Sequence, residues 1–141
     1  MLRASAAAIL LAFMIGSVVG CGPSGQPALK VGECANVEPT DDGESSVKVD
    51  CALPHEQEVF FTFDMPDGDF PGYFELGDAQ QDECTAAFAE YVGIPWEDSR
   101  YTFRFDAPTE QTWAQGKRTI TCLLEDNTGI MVTGSARGTA Q

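Results

Sequence analysis

The chain has 141 residues, with 22 acidic side chains against eight basic ones and a formal net charge of −14. This length fits one domain with one modest core. Nucleic-acid binding is excluded, because neutralising phosphates requires clustered Lys and Arg. The same charge opposes adsorption to anionic lipid headgroups. The negative charge either attracts basic proteins or metal cations, or keeps an exported domain soluble.

Residues 1–20 have the pattern of a signal peptide, in which Arg3 precedes an apolar run that is too short for a stable transmembrane helix. The run ends in Val-Val-Gly-Cys21, which resembles a bacterial lipobox. That resemblance implies cleavage before Cys21 and diacylglycerol on its sulfur, with palmitate as an acyl group. An ordinary signal peptide with a chance cysteine is the alternative. Residues 21–28 are polar and rich in Gly and Pro, so we expect a short lipid-anchored tether on the extracytoplasmic face of the cell membrane.

The predicted strands begin with Leu29 to Cys34, followed by a polar turn over residues 38–46. Apolar residues then alternate from Val47 to Cys51, as in a half-buried strand. A third strand is predicted from Glu58 to Phe63. Strict alternation there places Val59, Phe61 and Phe63 on one face, and Glu58, Phe60 and Thr62 on the other.

The main helix is predicted to begin at Asp78, a good N-cap with Gln81 completing a capping box. It ends at Gly93, which can adopt the left-handed conformation, and Pro95 prevents its continuation. Residues at spacings of three and four form one apolar stripe that faces a sheet: Cys84, Ala87, Phe88, Tyr91 and Val92.

Beyond this helix, the pattern predicts a strand over 100–105 and a short helix capped by Thr109 and stopped by Gly116. Two further strands are predicted over 119–124 and 130–133. The tail after Ser135, including residues 138–141, is expected to be loose. The predicted fold class is α+β, with a mostly antiparallel sheet packed on one main helix and stabilised by disulfides.

Four cysteines remain beside Cys21, and an even number in an exported domain indicates disulfides. Zinc or dithiol chemistry is not expected, because no Cys-x-x-Cys motif occurs. Four cysteines allow three pairings. Cys34 and Cys51 lie on two neighbouring predicted strands, which favours a bridge between them. Cys84 lies on the predicted helix, which must face the strand over 119–124 that carries Cys122, so a Cys84–Cys122 bridge is also favoured.

Several segments are similar to the septum-formation domain, a family found in exported and membrane-attached proteins of actinobacteria. The segments that carry the resemblance are Val31 to Cys34, Val49 to Val59, Cys84 to Gly93, Pro108 to Trp113, Gly116 to Arg118 and Cys122 to Leu124. The resemblance covers the predicted domain, residues 29–137. It implies a link to cell division and no known catalytic activity.

His55 is the only histidine, and no catalytic partner is evident beside it. We expect its ring to bond a backbone carbonyl. A cluster of aromatic residues including Phe60 and Trp113 belongs either to the core or to a ligand-binding patch, whose other members would be Phe70, Tyr73 and Phe74. Arg118 is expected to pair with an acidic residue. These four residues, His55, Phe60, Trp113 and Arg118, are the candidate ligand or partner contacts.

An acidic loop supplies one further alternative, because calcium prefers several carboxylate oxygens. Its members are Asp64, Asp67, Asp69 and Glu75, but their spacing differs from an EF-hand loop, and a solvated turn is the preferred interpretation. No metal, cofactor or catalytic residue is therefore predicted. The sequence predicts a non-enzymatic, lipid-anchored interaction or accessory module in septum formation or cell-envelope assembly. Its partner would be an unidentified envelope or division protein. A small-ligand or cation-binding lipoprotein is the alternative.

Overall fold

A computed structural model describes residues 28–41 and 43–141. The predicted signal peptide, Cys21 and nearly all of the tether lie outside these residues. The five strands are β1 (Cys34–Thr40), β2 (Gly43–Val49), β3 (Gln57–Asp64), β4 (Tyr101–Asp106) and β5 (Thr119–Asp126). The helices are α1 (Tyr73–Val92), a 3-10 turn (Trp96–Asp98) and α2 (Glu110–Ala114).

The strands form one antiparallel sheet in the order β2-β1-β3-β5-β4. Helix α1 packs on one face of this sheet, which confirms the predicted α+β class. Two disulfides tie the parts together, Cys34–Cys51 and Cys84–Cys122, with Cα–Cα distances of 5.2 and 5.8 Å. These are the pairs that the strand and helix positions favour. The second bridge joins α1 directly to β5.

The main core lies between α1 and the sheet. Phe88 and Val92 of α1 are fully buried there, against Phe60 of β3 and Leu124 of β5. Phe60 makes an edge contact with Phe88, with ring centroids 5.8 Å apart. A smaller core cluster joins Leu76, Trp113 and Ile120, so it connects the first turn of α1 to α2.

A β-bulge in β3 changes which residues share a face. Val59 pairs with Leu123, whereas Phe61 pairs with Cys122, so Phe60 is the extra residue. Since paired residues lie on the same face, Phe61 and Phe63 join Cys122 on the helix face, while Val59 lies on the opposite face. The expected single face of Val59, Phe61 and Phe63 was therefore wrong, because one inserted residue reverses the alternation.

The first strand pair also differs from its prediction. β1 begins at Cys34 rather than including Leu29, and the run over 38–46, predicted to be a turn, is mostly strand. The far half of this hairpin is exposed on both faces, so burial imposes no apolar alternation there. Its seven cross-strand pairs extend from Cys34–Val49 to Thr40–Gly43.

Helix α1 begins at Tyr73, five residues before the predicted start, and its N-cap is Gly72, which makes no side-chain capping bond. Tertiary packing explains the extra turn. Leu76 is buried against Trp113 and Ile120, and the ring of Phe70 lies 5.1 Å from that of Tyr73. The end at Gly93 is as predicted, with φ 101° and a bond from its N–H to Ala89 O.

The last predicted strand, 130–133, is reduced to one antiparallel bridge between His55 and Val132. The tail is not loose where it was expected to be. Gly138 N–H donates to Tyr91 O and Ala140 N–H donates to Val92 O, at 2.8 and 2.9 Å. The C-terminal segment therefore closes the end of α1, whose last carbonyls would otherwise lack partners.

Candidate functional site

Glu58 is the centre of a buried polar cluster at the start of β3. Its side chain accepts hydrogen bonds from Tyr91 Oη at 2.6 Å and Ala136 N–H at 2.7 Å, and a third from Ser135 Oγ. A buried carboxylate is costly unless such donors surround it. Glu58 therefore fixes the C-terminal segment to both α1 and the sheet.

Tyr91 has an altered acidity in this cluster. Burial, followed by its hydrogen bond to the Glu58 carboxylate, raises the pKa of the Tyr91 phenol. The Arg137 guanidinium lies 4.4 Å from the centre of the Tyr91 ring. Arg137 acts against the rise in pKa, but burial and the bond to Glu58 outweigh it and favour the neutral phenol as a donor, so Tyr91 suits a structural role better than proton transfer at neutral pH.

His55 lies beside this cluster and is fully buried. Its backbone exchanges two hydrogen bonds of 2.9 Å with Val132, and its Nδ1 lies 2.9 Å from Leu53 O. The predicted bond from the ring to a backbone carbonyl is therefore present. Within the described part of the chain, Nε2 has no hydrogen-bond partner.

The structure brings His55 and Glu58 together with Cys34. One ligand atom from each lies within 4.8 Å of the others, and all three residues are buried. Sequence spacing alone left it open whether His55 and Glu58 face one site. The Cys34–Glu58 pairing between β1 and β3 brings the cysteine to the same place, and this long-range register had no signal in the sequence.

The opposite face of the sheet holds a groove of about 560 Å³. Two of its lining residues begin a polar chain, in which Ser46 Oγ donates to Gln57 Oε1 and Gln57 Nε2 donates to Glu125 Oε1, each at 2.8 Å. Arg104 Nη1 lies 3.6 Å from the same Glu125 oxygen. The residues lining the groove include Leu29, Val37, Glu44, Ser45, Ser46, Gln57, Arg104, Asp106, Lys117, Thr121 and Leu123.

Two of the proposed contact residues lie in the core instead of this groove. Phe60 and Trp113 are 2% and 5% exposed. Trp113 Nε1–H donates to Gly68 O at 2.9 Å, so the indole fastens the loop before α1. The aromatic residues do not form one surface patch, although Tyr73 and Phe74 are 66% and 94% exposed.

Arg118 holds the loop and α2 together. Its guanidinium lies 4.0 Å from the Trp113 ring centre, and Nη1 donates to Trp113 O at 2.8 Å. Nε lies 3.3 Å from Asp67 Oδ1, an ion pair that lacks hydrogen-bond geometry. The expected pairing with an acidic residue is present, but Asp67 is almost fully exposed, so this pair is worth little.

The acidic loop does not converge on a cation. Asp64 accepts a hydrogen bond from Thr119 Oγ1 at 2.6 Å, while Asp67 contacts Arg118. Within 28–41 and 43–141, the group of possible metal ligands close enough to share an ion is Cys34, His55 and Glu58, and it includes none of the loop acids. The calcium interpretation therefore has no geometric support.

The fold and its two bridges define a small, disulfide-tied α+β domain of the kind that functions outside the reducing cytoplasm. A family model described as septum formation matches residues 31–141, so the chain belongs to the septum formation family. This confirms the resemblance found in the sequence.

Two relatives share the name "Putative lipoprotein LppN", one from Mycobacterium tuberculosis and one from Mycobacterium bovis. Each is 32% identical over 114 residues, which cover 77% of this chain and 62% of the relative. The chain thus spans less than two thirds of their length. No solved structure matches. None of the described helices is both long and apolar enough to cross a membrane.

Proposed function

We propose that this protein is a lipid-anchored accessory module on the outer face of the cell membrane, and that it acts in septum formation or envelope assembly. The observation that carries the proposal is the family match over residues 31–141, which covers nearly all of the described domain. The relatives named as lipoproteins support the anchor. So does Cys21, which follows an apolar run in the lipobox pattern.

The module is proposed to act by binding rather than by turnover. Glu58 is enclosed by three donors, and His55 is buried with Nδ1 bonded to a backbone carbonyl. A catalytic acid or base must reach its substrate, and in this arrangement both groups support the fold. The partner is proposed to be a protein of the envelope or the division apparatus.

The anchor and the role are tested together in the native host by replacing the gene with a Cys21→Ala variant. We expect the mature wild-type protein to carry lipid on Cys21 and to sediment with membranes, and the variant to shift to a soluble or unprocessed pool. One acyl chain binds a membrane only marginally, whereas two give stable anchoring. Ser24→Ala, a change in the same tether, is the matched control and should behave as wild type.

The role in septum formation is tested by counting septa and measuring cell length after depletion of the protein. Loss of the protein or of its anchor should give longer cells with fewer septa. Normal division in depleted cells would contradict the role in septum formation. An unmodified N-terminal Cys21 in the mature protein would contradict the anchor.

A second candidate, a ligand-binding lipoprotein, is favoured by the groove on the open sheet face. Its volume of about 560 Å³ lies in the range of small-molecule sites. The hydroxyl and amide groups of Ser46 and Gln57, with Arg104 and Lys117 opposite the acidic Glu44 and Asp106, would suit a small polar ligand. Native mass spectrometry of the purified protein should then detect a bound small molecule that is lost in Gln57→Leu and retained in the distant Gln81→Leu.

A further inference from the structure

We propose that reduction of the Cys34–Cys51 bridge opens a zinc site formed by Cys34, His55 and Glu58. Their ligand atoms already lie within 4.8 Å of one another, and none of the three residues is more than 3% exposed. Sulfur, imidazole nitrogen and carboxylate oxygen are the usual zinc ligands. In the oxidised protein the Cys34 sulfur is bonded to Cys51, so it cannot act as a thiolate ligand.

The tautomer of His55 suits this role. Leu53 O can only accept a hydrogen bond, and it lies 2.9 Å from Nδ1, so in the neutral ring Nδ1 carries the proton. Nε2 then carries a free lone pair, buried and without a partner in the described residues. A metal-binding histidine commonly donates its other N–H to a backbone carbonyl, as this one does. A buried hydrogen-bond acceptor without a partner destabilises the folded protein. A cation bound to His55 Nε2 would remove this cost.

The Glu58 carboxylate is also held in place without a bound ion. Donors from Tyr91, Ser135 and Ala136 fix its carboxylate and occupy both lone pairs of Oε1 and one of Oε2, which leaves one lone pair on Oε2 for a cation. A narrow cavity of about 10 Å³ is lined by His55 and Glu58, although not by Cys34, and it has space for about one water-sized particle. The cavity lies between residues 55–58, β5 and the segment 132–136.

Charge balance also favours a divalent ion. One thiolate from Cys34 and one carboxylate from Glu58 together neutralise Zn²⁺, and neutral His55 adds no charge. A neutral cluster avoids the large cost of an uncompensated buried charge. Zinc bonds of about 2.0 to 2.3 Å require the ligand atoms to approach each other by roughly 1 Å. Release of the Cys34 sulfur from Cys51 permits that movement.

The redox step balances with a thiol reductant, either an exported dithiol protein or a small thiol. Two reductant thiols are oxidised to a disulfide, and their two electrons and two protons convert the Cys34–Cys51 bridge into two thiols. When zinc binds, the Cys34 thiol releases its proton to solvent and its sulfur bonds the metal. Three protein ligands would leave the fourth position of a tetrahedral zinc ion open.

The test uses Cys51→Ser, which leaves Cys34 as a free thiol without any reductant and keeps the Cys84–Cys122 bridge. Cys34→Ala is the matched control, because it loses the same bridge but leaves the thiol on Cys51. We expect Cys51→Ser to bind one Co²⁺, with a sulfur-to-cobalt charge-transfer band, and to bind Zn²⁺ at least tenfold more tightly than Cys34→Ala or the oxidised wild type.

Adding His55→Gln to Cys51→Ser should lower the zinc affinity at least tenfold. Circular dichroism and mapping of the Cys84–Cys122 bridge show that each variant is folded. Equal zinc affinity in folded Cys51→Ser and folded Cys34→Ala would overturn the site. Equal affinity in oxidised wild type and Cys51→Ser would overturn the requirement for reduction.

Discussion

Tyr91 links three parts of the molecule through one hydroxyl group and one ring. The hydroxyl donates to Glu58 of β3, the ring lies beside Arg137 of the tail, and the backbone belongs to α1. A hydrogen bond to a charged acceptor is worth about 1.5 to 3 kcal/mol. Substituting Tyr91 therefore measures how much this hydrogen bond of the buried cluster contributes to the free energy of unfolding.

Tyr91→Phe should lower the free energy of unfolding at pH 7 by about 1 to 2 kcal/mol, at the low end because Glu58 keeps two other donors. The folded protein raises the pKa of Tyr91 above its ordinary value of about 10. The stabilisation is therefore complete below that value and is lost as pH rises through the folded pKa. Urea unfolding across the alkaline range should show the gap between wild type and variant shrinking.

Tyr73→Phe is the control for this measurement, since Tyr73 is 66% exposed and has no hydroxyl partner in the described residues. It should match wild type at every pH. A gap between wild type and Tyr91→Phe that stays constant up to the most alkaline folded sample would contradict the proposed coupling.

At this scale the sequence predicted some contacts of single residues and missed others. The bond from the His55 ring to a carbonyl and the pairing of Arg118 with an acid were both anticipated, because each depends on neighbouring or plentiful partners. The enclosure of Glu58 was missed. Its donors Tyr91 and Ser135 lie 33 and 77 residues away, and only the packed structure brings them together.

One glycine lies inside α1 and another directly after it, in different backbone conformations, so the same substitution should have opposite effects on them. Gly77 is within the helix, and apart from its chain neighbours and the backbone of the helix itself, no described atom lies within 4 Å of the position that a Cβ would take. Gly93 ends the helix with φ 101°. Gly77→Ala should stabilise the protein by about 0.5 to 1 kcal/mol, and Gly93→Ala should destabilise it by about 1 to 2 kcal/mol.

Thermal unfolding of the two variants beside wild type checks this pair. Gly77→Ala should raise the melting temperature and Gly93→Ala should lower it. A fall in both would mean that position 77 has less room than the structure shows.

The elements themselves were predicted where local chemistry decides them. Gly93 ended α1 as expected, and Thr109 caps α2 by accepting from Thr112 N–H. The start of α1 was placed too late, because the contacts of Leu76 with Trp113 and Ile120 outweigh the good local cap at Asp78. The bulge at Phe60 was not predicted, and its one signal in the sequence is that strict alternation would put this aromatic residue on the face of Glu58 and Thr62.

The two disulfides constrain the whole molecule to different degrees. Cys84–Cys122 spans 38 residues and Cys34–Cys51 spans 17. Chain entropy assigns about 3.9 kcal/mol to the longer loop and about 3.1 kcal/mol to the shorter one, although this model is disputed. The longer bridge also passes through the main core, where both of its sulfurs are buried.

Replacing Cys84 and Cys122 by Ala should therefore lower the free energy of unfolding more than replacing Cys34 and Cys51 by Ala. Urea denaturation of both double variants measures the difference, and peptide mapping checks that the other bridge remains. A larger loss from the Cys34–Cys51 pair would mean that the β1–β2 hairpin, rather than the attachment of α1, limits the stability of the fold.

Gly32, at the entrance to the domain, lies beside the C-terminal segment. A Cβ placed on Gly32 would be 3.9 Å from Arg137 Nη2. Gly32, which precedes β1, therefore lies beside the C-terminal segment that closes the end of α1. The turn between Thr40 and Gly43 lies about 20 Å along β1 from Cys34, at roughly 3.3 Å per residue. An epitope tag inserted at that turn would stand clear of the contacts between Gly32 and the C-terminal segment.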